Sequence, residues 1–281
     1  MASATLYYHT DCKGEFILNN NKAILVVSFG TSYKETREKT IDKIEEDIQN
    51  AYKDFKVYRA FTSKMIIKKL KTRDNLHVDT VDEAVERMIN DGAKEIIMQP
   101  THIINGLEND IMIDDLRKYK DKFESIKIGS PLLTDIKDYD KLVKILEDKF
   151  EHIPEDEALV FMGHGSSHHA NSVYPALDYT FKDHRFNNFF VGTVEGYPEI
   201  DSVIKFVNEF KPKKVHLTPL MIVAGDHAQN DMASDKDDSW KTLFKNEGYE
   251  VECLVKGLGE YEEIRDMFVE HVNNAVNLFD R

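Results

Sequence analysis

The feature that most constrains the fold of this chain is the alternation of short apolar runs with longer amphipathic segments. The first apolar run is KAILVVSF, residues 22–29, which ends at Gly30-Thr31-Ser32. Continuous runs of this length are typical of parallel strands covered on both faces. Residues 35–52 then show helical spacing, with Ile44 and Ile48 on one face. Strands that alternate with helices need crossover connections, so the chain is predicted to be α/β with parallel sheets.

The alternation occurs twice, which predicts two doubly wound domains. In the first half, strands are predicted at 22–29, 56–61, 95–100 and 126–129, and helices at 35–52, 63–70, 81–90 and 108–119. In the second half, strands are predicted at 158–162, 189–193, 215–219 and 249–254, and helices at 138–150, 170–181, 199–210 and 261–278. The predicted domains are residues 22–134 and 135–281, with the last helix able to pack back on the first domain. Residues 1–21 are predicted to form an N-terminal extension.

The two halves also resemble each other in sequence, which suggests an internal repeat. VVSFGTS, residues 26–32, parallels VFMGHGSS, residues 160–167, and laying Gly30 on Gly165 places Phe29 opposite His164. MQPTHIING, residues 98–106, parallels LTPLMIVAG, residues 217–225, and Glu108 then falls opposite His227. The two halves are therefore expected to face each other across a cleft, with both histidines on the second half and Glu108 on the first.

Composition excludes several classes of function. The formal net charge of −14 argues against nucleic acid, which needs a basic surface. No run approaches the roughly 18 apolar residues that a membrane-spanning helix needs, and no export signal is visible. With only two cysteines, the chain is expected in a reducing compartment, the cytoplasm. The sequence leaves a homo-oligomer open.

Motifs narrow the chemistry further. The chain has no Walker A sequence, so a role for ATP lacks support, and no G-x-G-x-x-G after a strand, so a dinucleotide cofactor lacks support as well. It also lacks the G-x-S-x-G motif of α/β-hydrolases. No organic cofactor is therefore expected.

Three polar residues follow predicted strands of the second half: His164, Glu195 and His227. Ligands of open α/β sheets bind beyond the carboxyl ends of the strands, so these residues are candidates by position. Imidazole suits divalent cobalt, nickel, iron and zinc, and a carboxylate compensates charge. Three such ligands would leave coordination positions open for a substrate. The structural alternative, a solvated loop histidine or a carboxylate at a helix start, stays open for each residue taken singly.

Further histidines lie near these positions. His168 and His169 follow His164, and His102 lies in a first-half loop, so each is a candidate for supporting a ligand or transferring a proton. A structural role is the alternative for His169 and His102. His216 lies within a predicted strand and is expected to be a packed or hydrogen-bonded core residue.

Several longer segments resemble one known family, the sirohydrochlorin cobaltochelatases of the anaerobic pathway, which are class II chelatases that need no ATP. The resemblance starts at about Lys22 and rests on AILVVSFGTSY, RAFTSKMIIKKL, HIINGLE, FMGHGSSHHA, VEGYPE and LMIVAGDHAQNDMASDKDDSWK. It implies two facing α/β domains, a cleft for a tetrapyrrole, and insertion of Co2+ into sirohydrochlorin. By the same resemblance, His164 and His227 are the metal-binding histidines, Glu195 the metal-side carboxylate and Glu108 the first-half glutamate of the cleft. Here Gly106-Leu107-Glu108 replaces the family's usual Gly-Asp-Glu.

Insertion of a metal into this macrocycle requires the removal of two pyrrole protons. A nitrogen that coordinates the metal cannot accept a proton at the same time. The expectation is therefore that His164, Glu195 and His227 present the ion while Glu108, on the opposing wall, helps to remove protons. Sirohydrochlorin carries many carboxylates, so residues expected to contact the substrate are Arg59, Lys64, His102 and His169. An iron or nickel chelatase and a non-catalytic metal- or tetrapyrrole-binding protein are the alternatives.

Overall fold

The computed structural model describes residues 21–280, so nearly all of the predicted extension, residues 1–21, lies outside the described residues. The strands are β1 Lys22–Ser28, β2 Lys56–Phe61, β3 Glu95–Pro100, β4 Ser125–Ile128, β5 Ala158–Gly163, β6 Phe189–Thr193, β7 Lys214–Leu220, β8 Glu250–Cys253 and β9 Val276–Asn277. The α-helices are α1 Lys34–Lys39, α2 Ile41–Ala51, α3 Lys64–Asp74, α4 Val81–Asn90, α5 Leu107–Arg117, α6 Ile136–Phe150, α7 Val173–Asp183, α8 Ile200–Phe210, α9 Trp240–Asn246 and α10 Glu262–Asn273. Between residues 21 and 280, no helix has the length and apolar character needed to cross a membrane.

The strands form two sheets with the same internal order. The first sheet has the order β2-β1-β3-β4-β9 and the second has the order β6-β5-β7-β8. Neighbouring strands are parallel except for β4 and β9, which are antiparallel. The predicted α/β fold with parallel sheets is confirmed, and the shared strand order supports the internal repeat. The matching turns also agree, since Gly30 and Gly165 have φ angles of +97° and +84°.

A single apolar cluster connects the two sheets. It contains Ile24 and Val26 of β1, Phe161 of β5 and Phe268 of α10, all of which are fully buried. Full burial of a side chain such as Phe268 contributes about 1.5–3 kcal/mol. The two halves therefore share part of their core.

Helix α10 lies against the first half although it comes from the end of the chain. The Tyr52 hydroxyl of that half donates to the Val269 carbonyl (3.0 Å), and the Arg265 Nε donates to Asp47 Oδ2 (2.5 Å). Beyond α10, Val276 pairs with Ile128, so β9 extends the first sheet. The final segment thus completes the fold of the first half.

The structure corrects two predicted helices. The helix predicted at 35–52 is divided at Thr40, whose φ and ψ are −123° and −82°. The Thr40 hydroxyl donates to the Thr36 carbonyl (2.6 Å), a back-bond that commonly bends helices. The helix predicted at 261–278 is wrong beyond Asn273, because Val276 and Asn277 belong to a strand.

One helix, α9, is absent from the sequence interpretation. Ser239 caps it by accepting from the Thr242 amide (3.2 Å), and Trp240 and Phe244 are buried on one face. Ser before an apolar pair at positions i and i+4 is a recognisable helix start. The dense run of Asp residues before it conceals that signal.

The loop after β3 holds a half-buried histidine, His102. The His102 carbonyl accepts from the Leu132 amide (2.9 Å), while both ring nitrogens are buried without a hydrogen-bond partner in residues 21–280. Burial lowers the pKa of His102 to about 4. The ring is therefore neutral near pH 7.

His102 is expected to make the fold sensitive to acid. The unfolded chain binds a proton at this residue below about pH 6.5 and the folded chain does not, so stability is lost as the pH falls from 6.5 toward 4. Between pH 7.5 and 5 this loss is about 2 kcal/mol. In His102→Leu, urea unfolding of the metal-free protein should show a correspondingly smaller difference between these two pH values. The matched control is His169→Leu at an exposed position, and an unchanged difference in His102→Leu would contradict the prediction.

Candidate metal centre

Three neighbouring strands of the second sheet end beside one another, and each is followed by one predicted ligand. β5 lies between β6 and β7, with Gly163 paired to Thr193 on one side and to Leu220 on the other. One ligand atom from each of His164, Glu195 and His227 lies within 4.8 Å of the other two. The two imidazole rings are 4.8 Å apart between centroids and nearly perpendicular. The fold thus brings together the three residues predicted to hold a metal.

Two glycines allow His164 and Glu195 to approach. The Glu195 amide donates to the His164 carbonyl (2.8 Å), which joins the loop after β5 to the loop after β6. A Cβ atom on Gly165 would lie 2.6 Å from the Gly196 nitrogen, and one on Gly196 would lie 2.3 Å from Asn171 Oδ1. Larger residues at these positions would separate the loops. The glycines therefore set the distance between two of the candidate ligands.

The third candidate ligand, His227, immediately precedes a short π-helix, Ala228–Met232. Its Nδ1 lies 2.6 Å from Asp231 Oδ2, and the Nδ1 of His164 lies 3.0 Å from the Gly165 carbonyl oxygen. Both partners accept hydrogen bonds, so the neutral rings carry their proton on Nδ1 and leave Nε2 with a free lone pair. Such outer contacts are typical of metal-binding histidines.

The candidate ligands lie where the first half of the chain touches the second. The Tyr33 hydroxyl donates to Asp226 Oδ1 (3.1 Å), next to His227. The Asp110 carboxylate lies 3.4 Å from His168 Nε2. Burial and the neighbouring Asp226 raise the pKa of Tyr33, which therefore stays protonated and keeps this hydrogen bond. Residues of both halves thus border the site.

Glu108, the predicted proton acceptor, lies in the first turn of α5 and is partly buried. It is not in the group of ligand atoms formed by His164, Glu195 and His227. Asp110 in the same helical turn contacts His168, so this turn lies at the boundary between the halves. The placement is compatible with a role apart from the metal ligands.

The residues predicted to contact the substrate lie in different environments. His102 is half-buried, with both ring nitrogens shielded from solvent, whereas His169 is exposed and its ring lies 3.9 Å from that of His168. Lys64 is the exposed first residue of α3. The Arg59 guanidinium contacts the carboxylates of α2, with Nε 2.8 Å from Glu45 Oε1. Its donors are thus engaged within the first half, which favours a structural role for Arg59.

A second group of potential ligands, His77, Asp79 and Glu83, lies at the start of α4. Asp79 is paired with Arg87 (2.5 Å), and Glu83 accepts from the Thr80 amide (2.8 Å) as part of a capping box. A cation already balances Asp79 and the helix cap already uses Glu83. We therefore assign this group to helix stabilisation.

Sequence patterns do not predict a role for Asp231, Tyr33 or Asp110. Asp231 is one of several acidic residues that follow His227 in the sequence. The signal was present as a His-x-x-x-Asp spacing, since residues four apart face each other on a helix. Tyr33 and Asp110 act across the two halves, and no local pattern predicts such contacts.

Comparison with known proteins identifies the family. Residues 22–277 match the family model described as "Cobalt chelatase (CbiK)". The sirohydrochlorin cobaltochelatase of Salmonella typhimurium is 43% identical over 257 residues, which cover 92% of this chain and 97% of that protein. The sirohydrochlorin cobaltochelatase CbiKC of Nitratidesulfovibrio vulgaris is 30% identical, with 92% of both chains covered.

A solved structure agrees on the fold. SirB from Bacillus subtilis with Fe3+ has a TM-score of 0.63 at 13% identity, covering 90% of this chain and 95% of that one. At this identity the likeness concerns the two-domain α/β architecture alone. The family match over nearly the whole described chain, together with the identity to two relatives, shows that this protein belongs to the CbiK family of cobalt chelatases.

Proposed function

We propose that this protein inserts Co2+ into sirohydrochlorin without ATP. The observation that carries the proposal is the convergence of His164, Glu195 and His227 at the boundary between the two halves. Family membership and the names of two relatives supply the substrate. The missing Walker A motif is in accord with a reaction that uses no nucleotide.

On the metal side, two imidazoles and one carboxylate present the ion. The Nε2 atoms, which carry no proton, donate lone pairs to the ion. Glu195, which is exposed, supplies negative charge. Three protein ligands leave coordination positions that macrocycle nitrogens can occupy as they replace the protein ligands. The Co2+ ion is here a substrate that must be released, so an incomplete and partly accessible ligand set suits the reaction.

On the macrocycle side, we assign proton removal to Glu108. Its place outside the metal group leaves its carboxylate free to accept a proton while His164 and His227 coordinate the ion. The turn that holds Glu108 also holds Asp110, which contacts the second half. Lys64 and His169, both exposed, are proposed to meet substrate carboxylates.

The donor set by itself accepts Fe2+ and Ni2+ as well as Co2+. The choice of Co2+ therefore rests on the family and on its named relatives. We place the reaction in the cytoplasm, because a chain with two cysteines suits a reducing compartment. A protein that only binds metal or tetrapyrrole would stop at one equivalent, whereas a chelatase would continue over many turnovers.

The proposal predicts catalytic metallation that depends on both histidines. Sirohydrochlorin mixed with Co2+ and a small amount of protein, without ATP, should show the spectral change of insertion over many turnovers. Because each imidazole is a direct ligand, His164→Ala and His227→Ala should each reduce the rate by more than about 100-fold. His77→Ala, which removes a histidine from the group at the start of α4, is the matched control and should retain the rate. A change that stops at one equivalent would identify a binding protein.

The assignment of Glu108 predicts a loss of turnover without a loss of metal binding. Glu108→Gln keeps the size of the side chain and removes the proton acceptor, so the rate should fall about 100-fold or more. Titration calorimetry should show unchanged Co2+ affinity, because Glu108 is not a metal ligand. Asp114→Asn, an exposed position on the same helix, is the control. Unchanged turnover of Glu108→Gln across pH would contradict the assignment.

A further inference from the structure

The two candidate metal histidines differ in the group that accepts the hydrogen bond from Nδ1 of the ring. The partner of His164 is a backbone carbonyl, 3.0 Å from Nδ1. The partner of His227 is the Asp231 carboxylate, 2.6 Å from Nδ1. A carboxylate attracts the Nδ1 proton more strongly than a neutral carbonyl does, and it increases the basicity of the other nitrogen. The site is therefore asymmetric.

The backbone that carries Asp231 is fixed by its neighbours. Ala228 and Met232, the ends of the π-helix, are fully buried in the core of the second half. The Ser239 hydroxyl donates to the Ser234 carbonyl (2.8 Å), which ties the following turn to the start of α9. Short π-helical turns occur frequently at functional sites. Asp231 thus projects from a turn whose two ends are anchored in the core, whereas its carboxylate remains partly exposed.

The nearby acidic residues have other partners. Asp226 accepts from the Tyr33 hydroxyl and from Asn230 Nδ2 (3.0 Å). Asp235 pairs with Lys241 (2.7 Å), and its side chain is 86% exposed. Among these described acidic residues, Asp231 is the one whose carboxylate contacts Nδ1 of His227.

Resting on the proposed function, we propose that Asp231 is a positioning residue that holds His227 in the Nδ1–H tautomer and turns Nε2 toward the incoming Co2+. It acts through His227 and does not itself coordinate the ion. Without this carboxylate, His227 would exchange between tautomers, and only one of them offers Nε2. Asp231 thereby sets the affinity for the metal before the macrocycle takes it.

The proposal predicts a specific loss in Asp231→Ala. Co2+ affinity measured by titration calorimetry should fall about 10- to 100-fold. The KM for Co2+ should rise while kcat changes little, because the lost contact supports binding rather than the transfer step. Asp231→Asn should also weaken binding, since an amide that turns its NH2 group toward Nδ1 favours the wrong tautomer. Asp231→Glu should recover part of the affinity, and Asp235→Asn is the matched control.

A second readout separates positioning from mere stability. In 15N-histidine NMR spectra of the metal-free protein, His227 should report the Nδ1–H tautomer in the wild type and a mixture in Asp231→Asn, with unchanged thermal unfolding. Wild-type Co2+ affinity and an unchanged tautomer in Asp231→Asn would overturn the proposal. If the wild type bound Co2+ but never metallated sirohydrochlorin, the proposed function would fail, whereas calorimetry and NMR would still decide the role of Asp231.

Discussion

The parallel pairing of β5 with both of its neighbours is the constraint on which the candidate metal centre depends. Gly163, the last residue of β5, is in register with Thr193 of β6 and with Leu220 of β7. Strands that end at one level start their loops side by side, so residues far apart in the chain meet at one edge. His164 directly follows β5, Glu195 follows β6 after one residue, and the longer loop after β7 returns His227 to the same place. Side-chain contacts then refine a geometry that backbone hydrogen bonds have already set.

The two halves of the repeat carry different side chains at matching positions. His164 in the second half corresponds to Phe29 in the first, and the Phe29 side chain is 45% exposed. His227 corresponds to Glu108. The second half thus carries two candidate metal-binding histidines at these positions, where the first half carries an aromatic ring and a carboxylate. Under the proposed function this division suits a flat macrocycle that receives an ion from one face and loses protons on the other.

Much of the architecture could be predicted from sequence because the strands are short segments rich in apolar residues, and β2, β3 and β6 have the predicted bounds. The three converging residues could be predicted for the same reason, since each directly follows or closely follows such a run. The end of α10 could not be predicted, because the helical spacing of apolar residues continues into residues that instead pair with β4. The hydrogen bond from Arg59 to Glu45 could not be predicted either, because it depends on how α2 lies against the sheet. Local patterns predict elements well, and contacts between elements poorly.

The position of α10 has a consequence for how the chain acquires its structure during synthesis. The apolar residues of β1 pack in one cluster with Phe268, and Tyr52 bonds to Val269, so the first sheet lacks part of its cover until residues near 270 have been made. Domains generally fold in order as the chain emerges from the ribosome. Here the first half is synthesised early, and the apolar surface that α10 covers stays exposed until that helix has been translated, close to the end of the chain. We expect this interval to be the time at which the nascent chain most needs a chaperone.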